Sequence, residues 1–173
     1  MKKILNRLKN RFLTKLLVWF PALKEKAVQN VESIAFDTTP WKKVEKPLSE
    51  SRLALITTAG VHLKTQEPFD MVDSSGDPSF REIPSDSGIE DLMITHDYFD
   101  HKDADADINI VYPSERLREL VEEGKIGSLS SSFYGFMGHI TDHHVTTLLE
   151  ETGPDVARRL KKDEVDVAFV APG

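Results

Sequence analysis

An α/β fold, layered around a largely parallel sheet and preceded by an amphipathic helix, is what this chain predicts. Three observations carry that expectation. Arg52–Thr58 (Arg-Leu-Ala-Leu-Ile-Thr-Thr) and Val165–Ala171 are apolar runs of strand length, each ending at small or turn residues. Helix-period segments with start and stop residues lie between them, and strands alternating with helices favour parallel pairing. Over Met1 to about Val31, Ile4, Leu5, Leu8, Phe12, Leu16 and Trp19 recur near a 3.6-residue period, with lysines and arginines between them.

Taken in order, residues 1–36 form a basic amphipathic N-terminal segment, and residues 37–50, with two prolines and little periodicity, form a linker. Residues 51–173 form the α/β domain. Its first strand, 52–58, turns at Ala59-Gly60. Residues 64–88, with Pro68, Gly76, Pro78, Pro84 and Gly88, read as a long irregular loop, a type that is usually functional. Ile89–Thr95 is expected as a second strand and Ile108–Val111 as a short third. Pro113-Ser114 opens a helix with Leu117, Leu120 and Val121 on one face and Gly124 as its stop. Ile140, His144, Leu148 and Leu149 mark another helix ending at Gly153. Pro154 suits the first turn of a last helix carrying Val156, Ala157 and Leu160, which leads into the final strand.

Composition narrows the function. Residues 1–30 carry eight basic residues against Glu25, a net +7; the whole chain is −7, so the remainder carries −14. An acidic body argues against nucleic acid as the main partner, because phosphate neutralisation requires a basic face. No run reaches the roughly 18–20 apolar residues of a bilayer span. The chain has no cysteine, which removes disulfides, thiolate ligands and thiol nucleophiles from these residues and is compatible with a cytoplasmic location. The basic helix has three readings: packing on its own domain or a partner, peripheral contact of residues 1–31 with an anionic membrane, or a targeting segment. The last lacks a clear cleavage site.

Five of the six histidines fall in two clusters. His96-Asp97-Tyr98-Phe99-Asp100-His101 follows an expected strand, so His96 emerges at a carboxyl edge, where ligands collect in open α/β sheets. Imidazole and carboxylate there can form an oriented pair or, as a weaker alternative, a metal site of His96, Asp97 and His101. Asp103, Asp105 and Asp107 do not make a calcium loop, since Ile108 stands where glycine is needed and Ser114 where glutamate is. A solvated acidic loop is the plainer reading of this segment. The second cluster, Tyr134-Gly135-Phe136-Met137-Gly138-His139 followed by His143-His144, places glycines ahead of a helix. His139 is expected beside the positive end of its dipole. A tight turn with His144 on an inner helix face is the structural alternative. Thr57-Thr58-Ala59-Gly60-Val61-His62 is a third strand end, where small residues let a ligand approach the backbone.

The order of segments resembles a known family. Leu-Ile-Thr-Thr-Ala-Gly-Val-His-Leu (55–63), Gly-Asp-Pro-Ser-Phe-Arg-Glu-Ile-Pro-Ser-Asp (76–86), Ile-Thr-His-Asp-Tyr-Phe-Asp-His (94–101), Asp-Ile-Asn-Ile-Val-Tyr-Pro (107–113), Arg-Leu-Arg-Glu-Leu-Val-Glu-Glu-Gly-Lys-Ile-Gly-Ser-Leu (116–129) and Gly-Phe-Met-Gly-His-Ile (135–140) carry it. Together, over about residues 52–173, they resemble the selenoprotein B family of glycine, sarcosine, betaine and D-proline reductases. The N-terminal helix lies outside that resemblance.

The resemblance implies a reductase subunit that cleaves a C–N bond of a small amino-acid-like substrate. A selenocysteine, or a cysteine in variants, attacks the carbon next to nitrogen and displaces the amine. Other reductase subunits and a thioredoxin-type electron donor then resolve the product. A selenol suits this because its ionised form, the nucleophile, predominates at neutral pH. The family's nucleophile follows a Pro-Gly at a strand end, matching Pro172-Gly173, so the domain is expected to be incomplete here and selenocysteine to belong to a longer product. A UGA codon read as stop accounts for that expectation. His96, His139 and Asp97 are then the expected supporting catalytic groups. Asp97 and Asp100 would orient histidines, and Thr58, Gly60, His62, His101 and Gly138 would contact substrate. No cofactor beyond the selenocysteine is implied. The competing reading is a non-catalytic module of the same fold that binds a small anion or a protein, with membrane association through its basic helix.

Overall fold

The computed structural model describes residues 2–20 and 41–173. Helix α1 covers Lys2–Trp19; residues 21–36 of the expected N-terminal segment, and residues 37–40 of the linker, lie outside the described residues.

The centre of the fold is β1 (Arg52–Thr57), whose consecutive apolar residues are buried on both faces. It pairs in parallel with β5 (Ser128–Leu129) and β6 (Ser132–Phe136) along one side and with β7 (Val167–Ala171) along the other. An antiparallel strand, β3 (Phe80–Pro84), extends the sheet beyond β6. β3 lies inside the segment expected to be irregular. Its Arg81 and Glu82 hide the strand period, and its terminal Pro84 fits an edge position. A separate two-stranded antiparallel pair joins β2 (Val61–Leu63) to β4 (Leu92–Ile94).

Side chains alternate across the sheet and build two apolar layers. Leu53, Leu55, Ile83 and Phe133 face a core shared with Val61, Tyr112 and Leu117, on the side of β2, β4 and helix α3 (Ser114–Glu122). Ile56, Tyr134 and Phe136 face Val156 and Leu160 of helix α5 (Gly153–Lys162). The expected stop and start signals hold for both helices. Gly124 takes φ +68°, with Gly124 N–H donating to Val121 O and Lys125 N–H to Leu120 O. Pro154 sits in the first turn of α5 near Asp155, and Arg159, Lys161 and Lys162 occupy its last turn.

Three expected elements differ. Of Ile89–Thr95 only Leu92–Ile94 is a strand, and Ile89–Asp91 forms a 3-10 turn. Ile108–Ile110 forms a 3-10 turn rather than a strand, because Asp107 accepts from the Asn109 amide and bends the chain. Helix α2 (Lys102–Ala106) precedes that turn. The helix expected to end at Gly153 instead passes through it: α4 (His143–Thr147) runs through a π turn at Leu148–Thr152 directly into α5.

Candidate functional site

Because β1, β6 and β7 are parallel, their carboxyl ends meet on one edge, and the chain there places Thr58, Gly138 and Gly173 together. Thr58 N–H donates to Ala171 O at 3.1 Å, and Gly60 N–H to Phe136 O at 2.8 Å. Gly173 N–H donates to Thr58 Oγ1 at 3.1 Å. The β2–β4 pair is tied to the same edge by Thr95 N–H, which donates to Gly60 O at 2.9 Å. Gly60 is required at this crossing. Its φ is +72°, and a Cβ would collide with the Thr95 carbonyl.

That crossing delivers His96 to the edge. It is only 4% exposed, and backbone amides face both of its ring nitrogens: Gly138 N–H at Nε2 and Tyr98 N–H at Nδ1, each at 3.2 Å. A neutral imidazole has one lone pair, so it bonds one amide at a time and a second ring proton has no acceptor. Burial, reinforced by His139 and His101, lowers its pKa from 6.5 to about 4. His96 is therefore a neutral hydrogen-bonding group at pH 7 rather than a ready proton donor. Gly138 makes its contact because it lacks a side chain; a Cβ there would sit 2.9 Å from Thr58 O and 3.5 Å from His96 Nε2.

Other expected site residues engage groups of their own. His62 is fully buried. Its Nδ1 lies 2.7 Å from Leu63 O, which can only accept, so Nδ1 carries the proton and Nε2 accepts from Thr95 Oγ1 at 2.8 Å. It braces β2 against β4. His139 is not at a helix start, since α4 begins at His143. Its ring stacks on Tyr98 at 3.8 Å, and Nε2 donates to Ser74 O at 2.9 Å. Asp97 orients no histidine, because Arg7 of α1 takes its carboxylate, with Nε at 2.7 Å from Oδ2 and a terminal nitrogen at 3.2 Å from Oδ1. Thr14 Oγ1 donates to the Asp97 carbonyl at 3.2 Å. Asp100 accepts from the Lys102 amide, and His101 Nδ1 lies 2.8 Å from Asp105 Oδ2. Arg7 and Thr14 were invisible in the residue pattern, since nothing in a helical period reveals a partner ninety positions away.

Two cavities flank this edge. A polar one of about 240 Å³ is bounded by His96, Asp97, His101 and Lys102, with Thr14 and Lys15 of α1 across from them. An apolar groove of about 400 Å³ runs between the sheet and α5, with Ile56, Phe136, Leu148 and Leu160 in its walls and Thr58 and Gly138 at its lip. The metal alternative of His96, Asp97 and His101 is not assembled among the described residues, and Arg7 holds the Asp97 carboxylate. Among the described residues, the donors that could converge on an ion are Asp73, His143 and His144, whose ligand atoms lie within 4.8 Å of one another. His144 Nε2 is 3.1 Å from Asp73 Oδ2.

The family model for glycine/sarcosine/betaine reductase selenoprotein B matches residues 23–171, beginning earlier than the motif segments but after α1. D-proline reductase subunit gamma of Acetoanaerobium sticklandii is 40% identical over 133 residues, covering 77% of this chain and 53% of that protein. Glycine reductase complex component B subunit gamma of Carboxydothermus hydrogenoformans is 31% identical over 141 residues, 79% of this chain and 31% of that protein. Betaine reductase complex component B subunit beta of Peptoclostridium acidaminophilum is 29% identical over 126 residues, 70% and 28% respectively. The chain thus spans about half the length of the first of these relatives and about a third of the other two. No solved structure matches it. With the family model covering most of its length, this chain belongs to the glycine/sarcosine/betaine reductase selenoprotein B family.

Proposed function

We propose that these residues form the substrate-side half of a selenol- or thiol-dependent reductase subunit that cleaves the C–N bond of a small amino-acid-like molecule. The observation that supports this is the meeting of Thr58, Gly138 and Gly173 at one sheet edge, beside a buried neutral His96. In this reading the family's nucleophile follows Gly173. The selenolate attacks the carbon bonded to nitrogen, a Se–C bond forms, and the C–N electron pair leaves with the amine, which takes a proton. A dithiol of partner subunits or a thioredoxin-type donor supplies the two electrons that later release the reduced carbon. His96 holds the Gly138 loop in place and presents a polar wall without titrating near pH 7.

The apolar groove beside this edge favours a substrate with ring or alkyl methylenes over glycine, since its walls offer aliphatic and aromatic surface. D-proline, named for the relative that is 40% identical, fits that description.

Two measurements test the reading. The nucleotides after the Gly173 codon should contain an in-frame UGA or a cysteine codon followed by more family-like sequence; a UAA would sink it. The full-length product, assembled with its partner subunits and a dithiol, should release 5-aminovalerate from D-proline faster than acetate from glycine. Equal failure with D-proline, glycine, sarcosine and betaine would remove the reductase assignment.

A further inference from the structure

Helix α1 meets the domain through polar side chains and leaves a row of large apolar ones exposed. Arg7 and Thr14, seven residues apart and so on one stripe, hold Asp97 of the body. Leu5, Leu8, Phe12 and Trp19 fall about 100° to 160° around the helix from that stripe and are 59–76% exposed. A helix packed for stability buries such a face. Here Arg7 and Thr14 make the described contacts, while Leu5, Leu8, Phe12 and Trp19 are presented outward.

Charge identifies what the outward face suits. Residues 2–20 contain six basic residues (Lys2, Lys3, Arg7, Lys9, Arg11 and Lys15) and no acid, whereas residues 31–173 carry −14. Two copies of α1 meeting face to face would set six cations against six. An anionic lipid surface attracts the same cations and accepts Leu, Phe and Trp at the depth where such side chains are most favourable. The acidic body is repelled by that surface, but α1, about 10 Å across, separates them by roughly one Debye length at 0.1 M salt. No described helix is long and apolar enough to cross a membrane, so the contact is one of lying on the surface. The helix also lies outside the residues matched by the family model, which marks it as a feature separate from the shared fold.

We propose that α1 is an interfacial anchor. It binds an anionic lipid bilayer through Leu5, Leu8, Phe12 and Trp19 while Arg7 and Thr14 keep the His96–Asp97 edge of the domain fastened to its inner side. The proposal stands apart from the reductase reading and is tested without any activity measurement. The full chain is floated with vesicles of phosphatidylcholine, or of phosphatidylcholine with about one-third phosphatidylglycerol. A Trp41→Phe background leaves Trp19 as the fluorescent reporter, since the chain has two tryptophans.

Binding to the anionic vesicles, with a blue shift of Trp19 and at least about tenfold weaker binding to neutral ones, is the expected result. Leu8→Asp with Phe12→Asp should weaken it about tenfold to a hundredfold, as burial of two large apolar side chains is lost. Both side chains are solvent-exposed, so the variant's unchanged circular dichroism and melting confirm an intact body. Raising salt to 0.5 M should weaken binding several-fold. Absence of flotation with anionic vesicles overturns the proposal. So does a concentration-dependent dimer in sedimentation velocity that the double variant abolishes, which would give the stripe to a second copy.

Discussion

Arg7 and Asp97, ninety positions apart, are joined by two hydrogen bonds at 2.7 and 3.2 Å, and this pair fixes how the N-terminal helix meets the domain. The partners are unequal. Asp97 is 3% exposed and Arg7 47%, so the carboxylate depends on the guanidinium far more than the reverse. Removing the cation alone strands a buried charge, whereas removing both charges does not. Arg7→Ala should therefore cost about 1–3 kcal/mol in urea unfolding, and Arg7→Ala with Asp97→Asn should cost less than that single change. A double-mutant cycle that returns no coupling would mean the pair does not hold α1 in solution.

The pH dependence follows from His96. Its folded pKa is lowered to about 4, while the unfolded side chain titrates at its usual value of about 6.5. Between those values the unfolded chain binds a proton that the folded one refuses. The stabilising preference for the neutral ring is thus complete above about pH 6.5 and is lost as pH falls towards 4, by up to about 3 kcal/mol. The difference in unfolding free energy between the parent chain and His96→Gln should shrink over that window and be flat above pH 7. Long-range 15N spectra should show a neutral ring at pH 6. A fully charged ring at that pH would contradict the burial argument.

Much of the scaffold could be read from residues, and the failures have physical causes. Gly124 and Pro154 bound their helices as expected because a left-handed stop and a proline-tolerant first turn are local properties. β6 was missed because Ser132-Phe133-Tyr134-Gly135-Phe136 carries a glycine that also suits a turn, and only its burial between two layers shows it to be a strand. At the site, His96 reached the edge because it follows a strand, and Thr58, Gly60 and Gly138 because they follow others. Asp97 and His62 took unexpected partners for reasons no spacing encodes. One met a distant arginine, and the other found a carbonyl and a hydroxyl inside the core.

Gly138 offers a direct test of how the edge is assembled. Its missing Cβ lets the amide approach His96 Nε2 while the backbone passes Thr58 O. Gly138→Ala places a methyl 2.9 Å from that carbonyl, so either strand end must shift by a few tenths of an ångström. The expected cost is about 1–3 kcal/mol, together with a change in the His96 Nε2 chemical shift. A stable variant with an unaltered His96 resonance would show that the close approach does not matter.

His62 separates a structural histidine from a site histidine most sharply. It sits at 0% exposure with both ring nitrogens bonded and an edge-on contact to Phe69 at 6.0 Å. Truncating it removes a buried ring and leaves Leu63 O and Thr95 Oγ1 without their partner. His62→Ala should then destabilise the fold by about 2–4 kcal/mol in chemical denaturation. His62→Gln, which keeps a donor and an acceptor but fills less space, should recover part of that loss. A substrate-contacting residue behaves otherwise: its replacement lowers turnover or raises KM in a protein of near-normal stability. If the proposed reductase activity holds, the His62→Gln variant should keep the parent KM for D-proline once the folded fraction is accounted for. A raised KM at unchanged stability would return His62 to the binding site.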